Sequence, residues 1–565
     1  MYAQVVVLTY QSPEIDSYTY LIPKELEKEI KVGQLVEVPF GKRNPMGIIV
    51  EIHDKKPQVP TKPVSKIVIT NPLLPPYQIN LLKWMSAYYL APMVNCLEVM
   101  QPKIPKRATS QPKDPKARSL SSPRPGLLQQ TLILVPYINK IAETLAKFPK
   151  AKNYVVYHNE LKTSEKFVAW QKITSGETDF IFGSRSAIFA PCPNLKEIII
   201  YDEHDGAYKD ERSPYLDTLT VAQKISEFTG AQVKIVDPSP KITTYFQLPK
   251  NIKIQSFPQK TKVVSMTNQR QGGNNSPISE EVFSYLEQTK NALLFLNKKK
   301  DSGHLFCKNC KNSQYLETQP ASCPACQSQD IFWNVLNIQA LAADVKKTLP
   351  RFAINIISDK NKMPSAVSSR PTVDIATAQI FYTPLVKKYD LIAHIQTDSL
   401  LTQSDFNSSQ NLYSQIIMLK KLLTASGRLF LQTYNPQNPT INFAATRDFE
   451  SFYKEELTQR KLLSYPPYSL LVKLTIKGKN HDKIKNDAVS LANQLLTTNY
   501  QLPTTVLGPY ESIFWQKIPS YHIILKIKLE SYNLESRQKA VTKIKNLIEA
   551  LPRVWQIEID PDSIQ

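Results

Sequence analysis

The sequence predicts a multidomain chain of α/β and β type. It combines a small N-terminal β-barrel-like module, two tandem α/β lobes with a four-cysteine insertion, and a C-terminal α+β domain. Three observations carry this reading. Short strands separated by turn residues open the chain. Nearly all-apolar strands alternate with helical segments through its middle. Two Cys-x-x-Cys pairs stand close together inside the second alternating stretch. At 565 residues there is room for about three to five domains. The hydrophobic content, 42%, is enough for real cores.

The elements follow in order. In residues 1–104, "AQVVVLTY", "YTYLIP", "GQLVEVPFG" and "MGIIVEIHD" read as the strands of a small barrel, and "PPYQINLLKWMSAYYLAP" carries apolar residues at helical spacing. Residues 105–127 read as a basic, Pro- and Ser-rich linker that cannot build a core; the stretch 103–125 holds seven basic residues, one acid and five prolines. From 128 to 247, "TLILVP", "NYVVYH", "DFIFGS", "EIIIYDE" and "QVKIVD" have the continuous apolar character of strands covered on both faces. A polar connecting segment, 248–289, leads to a second such lobe over 290–455, with its cysteine insertion at 304–329. Residues 456–565 read as β-α-β-β-α-β, the ferredoxin-like order.

The net charge of +21 favours a polyanionic partner, nucleic acid before membrane. No apolar run is long enough for a membrane span, and no basic stretch followed by a long apolar one opens the chain. A cytoplasmic protein is expected. Six cysteines in a chain this long are not a disulfide framework; Cys96 and Cys192 read as ordinary buried thiols.

Cys307, Cys310, Cys323 and Cys326 form two short knuckles with twelve residues between them. Four thiolates brought face to face suit one structural Zn²⁺ and leave no open position for catalysis. A redox pair is the competing reading.

Nucleotide-binding equipment is hard to find. Only 14 glycines occur, and neither GxxxxGK[ST] nor GxGxxG is present. After "IIIY" come Asp202, Glu203, His204 and Asp205, but Tyr201 stands where a motor protein places its metal-binding acid. A one-residue shift to Asp202 would, in a strand, turn the side chain to the other face.

From end to end the chain resembles the primosomal protein N-prime (PriA) family of bacterial replication-restart helicases. The stretches that carry the resemblance are "SYTYLIP", "VEVPFGKRNPMGIIVEI", "IFGSRSAIF", "DEHDGAYK", "FCKNC", "CPACQSQ", "SYPPYSLLVKL", "VLGPYESI" and "IEIDPDS". The resemblance implies that the α/β lobes are RecA-like and the N-terminal module binds DNA. The departures are concentrated in one activity. The linker stands in place of the family's winged helix and P-loop. The coupling motif GSATP is replaced by Val236-Asp237-Pro238-Ser239-Pro240. The positions of QxxGRAGR fall on Met418, Lys421, Leu422 and Ala425, without either arginine. A second, nested zinc site is missing.

The resemblance also implies binding residues. The pocket for a 3′ DNA end maps to Tyr18, Thr19, Gly41 and Lys66, with Thr19 in place of the family's aspartate. Lys42 and Arg43 sit on a turn that can meet backbone phosphate. Trp84 and Tyr88 match the contact for single-strand-binding protein, with core packing as the competing reading. The expected function is binding of forked or single-stranded DNA at stalled forks and help in reloading the replicative helicase with primosome proteins. ATP use, catalytic residues and helicase activity are not expected. The alternative is a residual ATP-dependent 3′–5′ helicase using Asp202 and Glu203.

Overall fold

The structure, a computed structural model, describes residues 1–9, 16–105, 129–248, 252–255, 257–296, 303–316, 319–334, 336–357, 370–383, 387–402, 405–498, 503–512 and 518–565. The linker lies outside these residues from 106 on, as does the basic run 297–300. The chain forms two compact units. The first holds Met1–Asp237, Phe246–Lys253 and Ser464–Ile564; the second holds Pro238–Tyr245 and Ile254–Leu463.

The first unit has three sheets. Its N-terminal sheet is five-stranded, in the order Tyr18–Leu21, Tyr2–Val7, Met46–His53, Leu35–Glu37, Lys66–Ile69. Neighbours run antiparallel. The edge strand also bridges Leu21 to Pro63, just before the opposite edge, which bends the sheet towards a barrel. Strand alternation gives it two apolar faces. Val5, Val7, Val36 and Ile49 pack on one. Val6, Leu35, Ile48 and Val50 pack on the other, against the helix Pro76–Tyr89. That helix starts with a proline in its first turn and buries Leu81, Leu82, Met85, Tyr88 and Tyr89, the i, i+3, i+4 spacing of a single face. Leu90, at φ 50°, ends it.

The second sheet is the six-stranded one of the first lobe, with Leu195–Tyr201 and Gln130–Leu134 central and parallel. The third is four-stranded and antiparallel, in the order Thr504–Glu511, Ser520–Lys528, Ser469–Lys477, Trp555–Ile559, with helices His481–Thr497 and Leu534–Glu549. One continuous core joins all three: Leu82, Ile198 and Leu470 belong to it. Residues 464–564 therefore share the core of the N-terminal half instead of standing apart.

The second unit is built on six parallel strands, with Asn291–Phe295 and Tyr389–His394 inside. A three-stranded sheet, Ser313–Leu316, Gly303–Cys307 and Ile331–Asn334, carries the cysteine knuckles. Among the described residues no helix is long and apolar enough to cross a membrane.

Candidate nucleic-acid interface and metal centre

The N-terminal barrel brings some of the predicted contact residues together and separates others. Tyr18 meets Phe40 edge to face, ring centroids 5.1 Å apart. Phe40 opens a two-residue hairpin: its backbone pairs both ways with Arg43, at 2.8 and 3.1 Å. Gly41 is the first turn residue, at φ 59°. That left-handed backbone costs an L residue energy and a glycine nothing. A Cβ built on Gly41 would meet nothing within 4 Å, so the backbone there is open to an incoming group. Lys42 and Arg43 stand exposed on the same turn. Tyr18, Phe40, Gly41 and the two cations thus share one corner.

Thr19 is on the other face of its strand. Its Oγ1 accepts a 2.8 Å bond from Gln4 Nε2, and Gln4 also takes the hydroxyl of Ser17. Lys66 is on the far edge strand, and its Nζ lies 3.0 Å from Glu37 Oε2. Phe40, which seats Tyr18, was not singled out from sequence; its place before the "GK" turn was the available signal.

Tyr88 corrects the sequence reading. It is fully buried, its hydroxyl donates to Asp560 at 2.7 Å, and burial pushes that hydroxyl well up. It belongs to the core and presents nothing to a partner. Trp84 stacks on it at 4.8 Å and lies under Lys224 Nζ, 5.5 Å from the ring centroid.

The stretch after Ile200 is also different from expectation. Tyr201 ends its strand, and Lys147 lies over its ring. Asp202 follows at φ 50°, outside the strand, so strand alternation does not decide where its side chain points. Asp202 and Glu203 are buried. His204 sits on Asp237, Nδ1 to Oδ1 2.9 Å; burial opposes its charge, yet Asp237 outweighs this and raises it to about 9. Asp205 accepts from the Tyr137 hydroxyl at 2.6 Å and from Ala207 N at 2.8 Å.

The four cysteines meet. Their sulphurs all lie within 4.8 Å of one another, with Cys307–Cys326 and Cys310–Cys323 both at 3.6 Å. A tetrahedron of thiolates about 2.3 Å from zinc separates its sulphurs by roughly 3.8 Å, so the set fits. Each knuckle repeats one backbone pattern. Lys311 N bonds Cys307 O and Cys307 N bonds Asn312 O; Gln327 N bonds Cys323 O and Cys323 N bonds Ser328 O. Lys311 and Gln327 both take positive φ, 63° and 60°. Desolvation would raise the Cys323 thiol, but the backbone donors of Cys326 and Ala325 outweigh it and hold it at about 6, on the thiolate side. The cluster can hold a metal ion.

Comparison with known proteins bears on both sites. Residues 5–102 match a PriA family model described as "3'DNA-binding domain (3'BD)". The replication restart protein PriA of Thermotoga maritima is 25% identical over 482 residues, 77% of this chain. The chain is a relative of the PriA replication restart proteins. It spans 64% of the length of the Thermotoga PriA. Against the PriA of Rickettsia conorii the identity is 22%, with 96% of this chain and 97% of that protein aligned. A solved structure, Mycobacterium smegmatis helicase Lhr bound to ssDNA and AMP-PNP, aligns over 57% of this chain and 42% of its own, at 9% identity and a TM-score of 0.30.

This kinship overturns one expectation. The sequence reading removed ATPase and helicase activity on the strength of missing motifs. The PriA alignments extend over 77% to 96% of the chain, and the proteins they match suggest an enzyme family. Departures from motif spelling do not demonstrate lost activity, so the non-enzyme reading does not stand.

Proposed function

We propose that this chain binds forked or single-stranded DNA in replication restart, seating a 3′ end at the Tyr18–Phe40–Gly41 corner of its N-terminal barrel. The observation that carries the reading is the match of residues 5–102 to the 3′ DNA-binding family model, together with an open glycine turn beside an aromatic pair. Tyr18 offers a ring for the last base. Gly41 lets backbone approach the terminal sugar. Lys42 and Arg43 meet flanking phosphates. Thr19, bonded to Gln4 on the other face of its strand, and Lys66, paired with Glu37 on the far edge strand, stand outside this corner and are not assigned to the terminal nucleotide. Zn²⁺ in the four-cysteine site stabilises the second unit. In the cytoplasm, primosome proteins, single-strand-binding protein at Trp84 and the replicative helicase are the proposed partners.

Titration of forked DNA with a free 3′ hydroxyl against the same fork carrying a 3′ phosphate tests this. Preferential binding of the hydroxyl end is expected. Equal, weak affinity for both would sink the end-binding reading.

A second reading concerns the lobes. The PriA alignment over 96% of the chain favours ATP-dependent 3′–5′ unwinding, with Asp202 and Glu203 at the nucleotide. DNA-stimulated phosphate release that Glu203→Gln abolishes is its expected signature.

A further inference from the structure

A strand at the rim of a sheet leaves a row of backbone donors and acceptors unpaired, and proteins cover, bend or interrupt such rims. Two sheets of the first unit do so. The N-terminal sheet is bent towards closure by the bridge between Leu21 and Pro63. In the C-terminal sheet the rim Thr504–Glu511 is broken by a bulge between Leu507 and Tyr510. At its opposite rim Lys209 Nζ donates to the carbonyls of Ile559 and Asp560. The strand Tyr154–Tyr157, at one rim of the first lobe's sheet, has no such device among the described residues.

The Phe180 N–H donates to the Asn153 carbonyl, and a Cβ on Gly183 would strike the carbonyl of Tyr157. The Asn153 and Tyr157 carbonyls therefore face the neighbouring strand Phe180–Gly183. Backbone direction alternates along a strand, which turns Tyr154 and Val156 outward. No described residue pairs with their N–H and C=O groups. Tyr154 is 43% exposed, and its ring meets Phe182 edge to face, centroids 6.0 Å apart. Phe148 also packs on Phe182, at 5.5 Å. An apolar shelf thus reaches the rim beside the outward backbone groups.

The residues that lead into the strand include Lys147, Lys150 and Lys152, all exposed. Lys147 pairs with Glu143 at 3.4 Å, whereas Lys150 and Lys152 have no ion-pair partner among the described residues. The acids Glu177 and Asp179 precede the neighbouring strand, one strand further from the rim. These charges select among occupants. The segment 106–128 brings six basic residues against one acid, and four prolines that cannot donate to a ladder. A second copy brings the same lysines, in a chain of net charge +21. An acidic segment in extended form complements both the lysines and the open ladder.

We propose that this rim docks an extended acidic segment of a partner protein. The segment joins the six-stranded sheet as a further strand, pairs its backbone with Tyr154 and Val156, and sets its carboxylates beside Lys150 and Lys152. Its alternate apolar side chains lie on the shelf of Tyr154 and Phe148. The proposal goes beyond the DNA-end reading and does not depend on it.

The test is fluorescence anisotropy of the full chain with the labelled peptide Asp-Glu-Thr-Val-Thr-Val-Thr-Glu-Asp. Its β-branched centre favours a strand, and its acidic ends suit either strand direction. The same peptide with lysines in place of its acids is the control. The acidic peptide is expected to bind and the basic one not. Val156→Pro removes an outward N–H and spares the inner ladder, so it should weaken binding of the acidic peptide about tenfold. Lys150→Gln/Lys152→Gln, at two exposed positions, should weaken it about fivefold. Both variants should bind forked DNA as the wild type does. No binding of the acidic peptide, or equal binding by wild type and a folded Val156→Pro chain, overturns the proposal. Should that variant not fold, unchanged binding by the lysine double variant overturns it instead. Displacement of the peptide by oligothymidylate assigns the lysines to nucleic acid, and self-association in sedimentation that Val156→Pro abolishes assigns the rim to a second copy. Either result also overturns the acidic-segment proposal.

Discussion

The Tyr88 hydroxyl donates to Asp560 Oδ2 at 2.7 Å, across 472 residues of sequence. Arg537 Nη1 reaches the same oxygen at 2.9 Å, and Tyr532 donates to Oδ1 at 3.2 Å. Arg537 also touches Thr220 and Gln223 of the first lobe. One carboxylate thereby ties the N-terminal helix, the lobe and the C-terminal domain into a single core. Arg537 is only 3% exposed, so it depends on Asp560 for its charge. Asp560→Ala leaves that guanidinium buried and uncompensated, at a cost of about 3–5 kcal/mol. Tyr88→Phe removes one hydrogen bond and costs about 1–2 kcal/mol. Urea unfolding of the full chain should rank the two in that order. A similar small loss for both would show that the carboxylate is not the centre of the network.

The His204–Asp237 pair makes stability depend on pH. Folding raises His204 from an ordinary 6.5 to about 9. The folded state therefore binds its proton more tightly than the unfolded chain does. That contribution is fully present below about 6.5 and is lost as pH rises through about 9. Its upper bound is about 3 kcal/mol. Unfolding midpoints should fall over this window, and His204→Gln should flatten the slope. A wild-type profile matching that of His204→Gln would remove His204 as the source.

How much of this was legible in the sequence depended on chain separation. The knuckles at Cys307 and Cys323 are local, and each CxxC spacing implies its turn, so the cluster could be read from letters alone. The strands Gln130–Leu134 and Leu195–Tyr201 were legible because burial on both faces demands unbroken apolar runs. Tyr88 was not, because its partner is 472 residues away and an aromatic at helical spacing looks the same in a core or on a docking face. Asp202 misled for a backbone reason: nothing in "YDEH" announces a positive φ. The inferred loss of activity failed for another reason. It weighed motif spelling above a family alignment along nearly the whole chain.

The cysteine site predicts about one zinc per chain. Cys310→Ser should reduce the bound metal to near zero by atomic absorption, since a hydroxyl is a poor substitute for a thiolate ligand. The cost should appear in the strands Gly303–Cys307 and Ser313–Leu316, as faster amide exchange there, with the first unit unchanged. Zinc content equal to wild type in this variant would exclude Cys310 as a ligand.

Tyr18 and Gly41 test the barrel corner from two sides. Tyr18→Leu keeps an apolar group against Phe40 but removes the ring. Stacking of a base on an aromatic is worth about 1–3 kcal/mol, so affinity for a fork with a 3′ hydroxyl should fall by that amount while the salt slope stays constant. Gly41→Ala has room for its methyl group but must hold φ at 59°, which costs about 1–2 kcal/mol of stability. A turn that relaxes to relieve this moves Lys42 and Arg43 with it. Both variants should narrow the preference for a 3′ hydroxyl over a 3′ phosphate, measured by titrating the two forks in parallel. If Tyr18→Leu binds the two ends as the wild type does, the ring does not seat the terminal base, and the corner is a packing feature of the barrel.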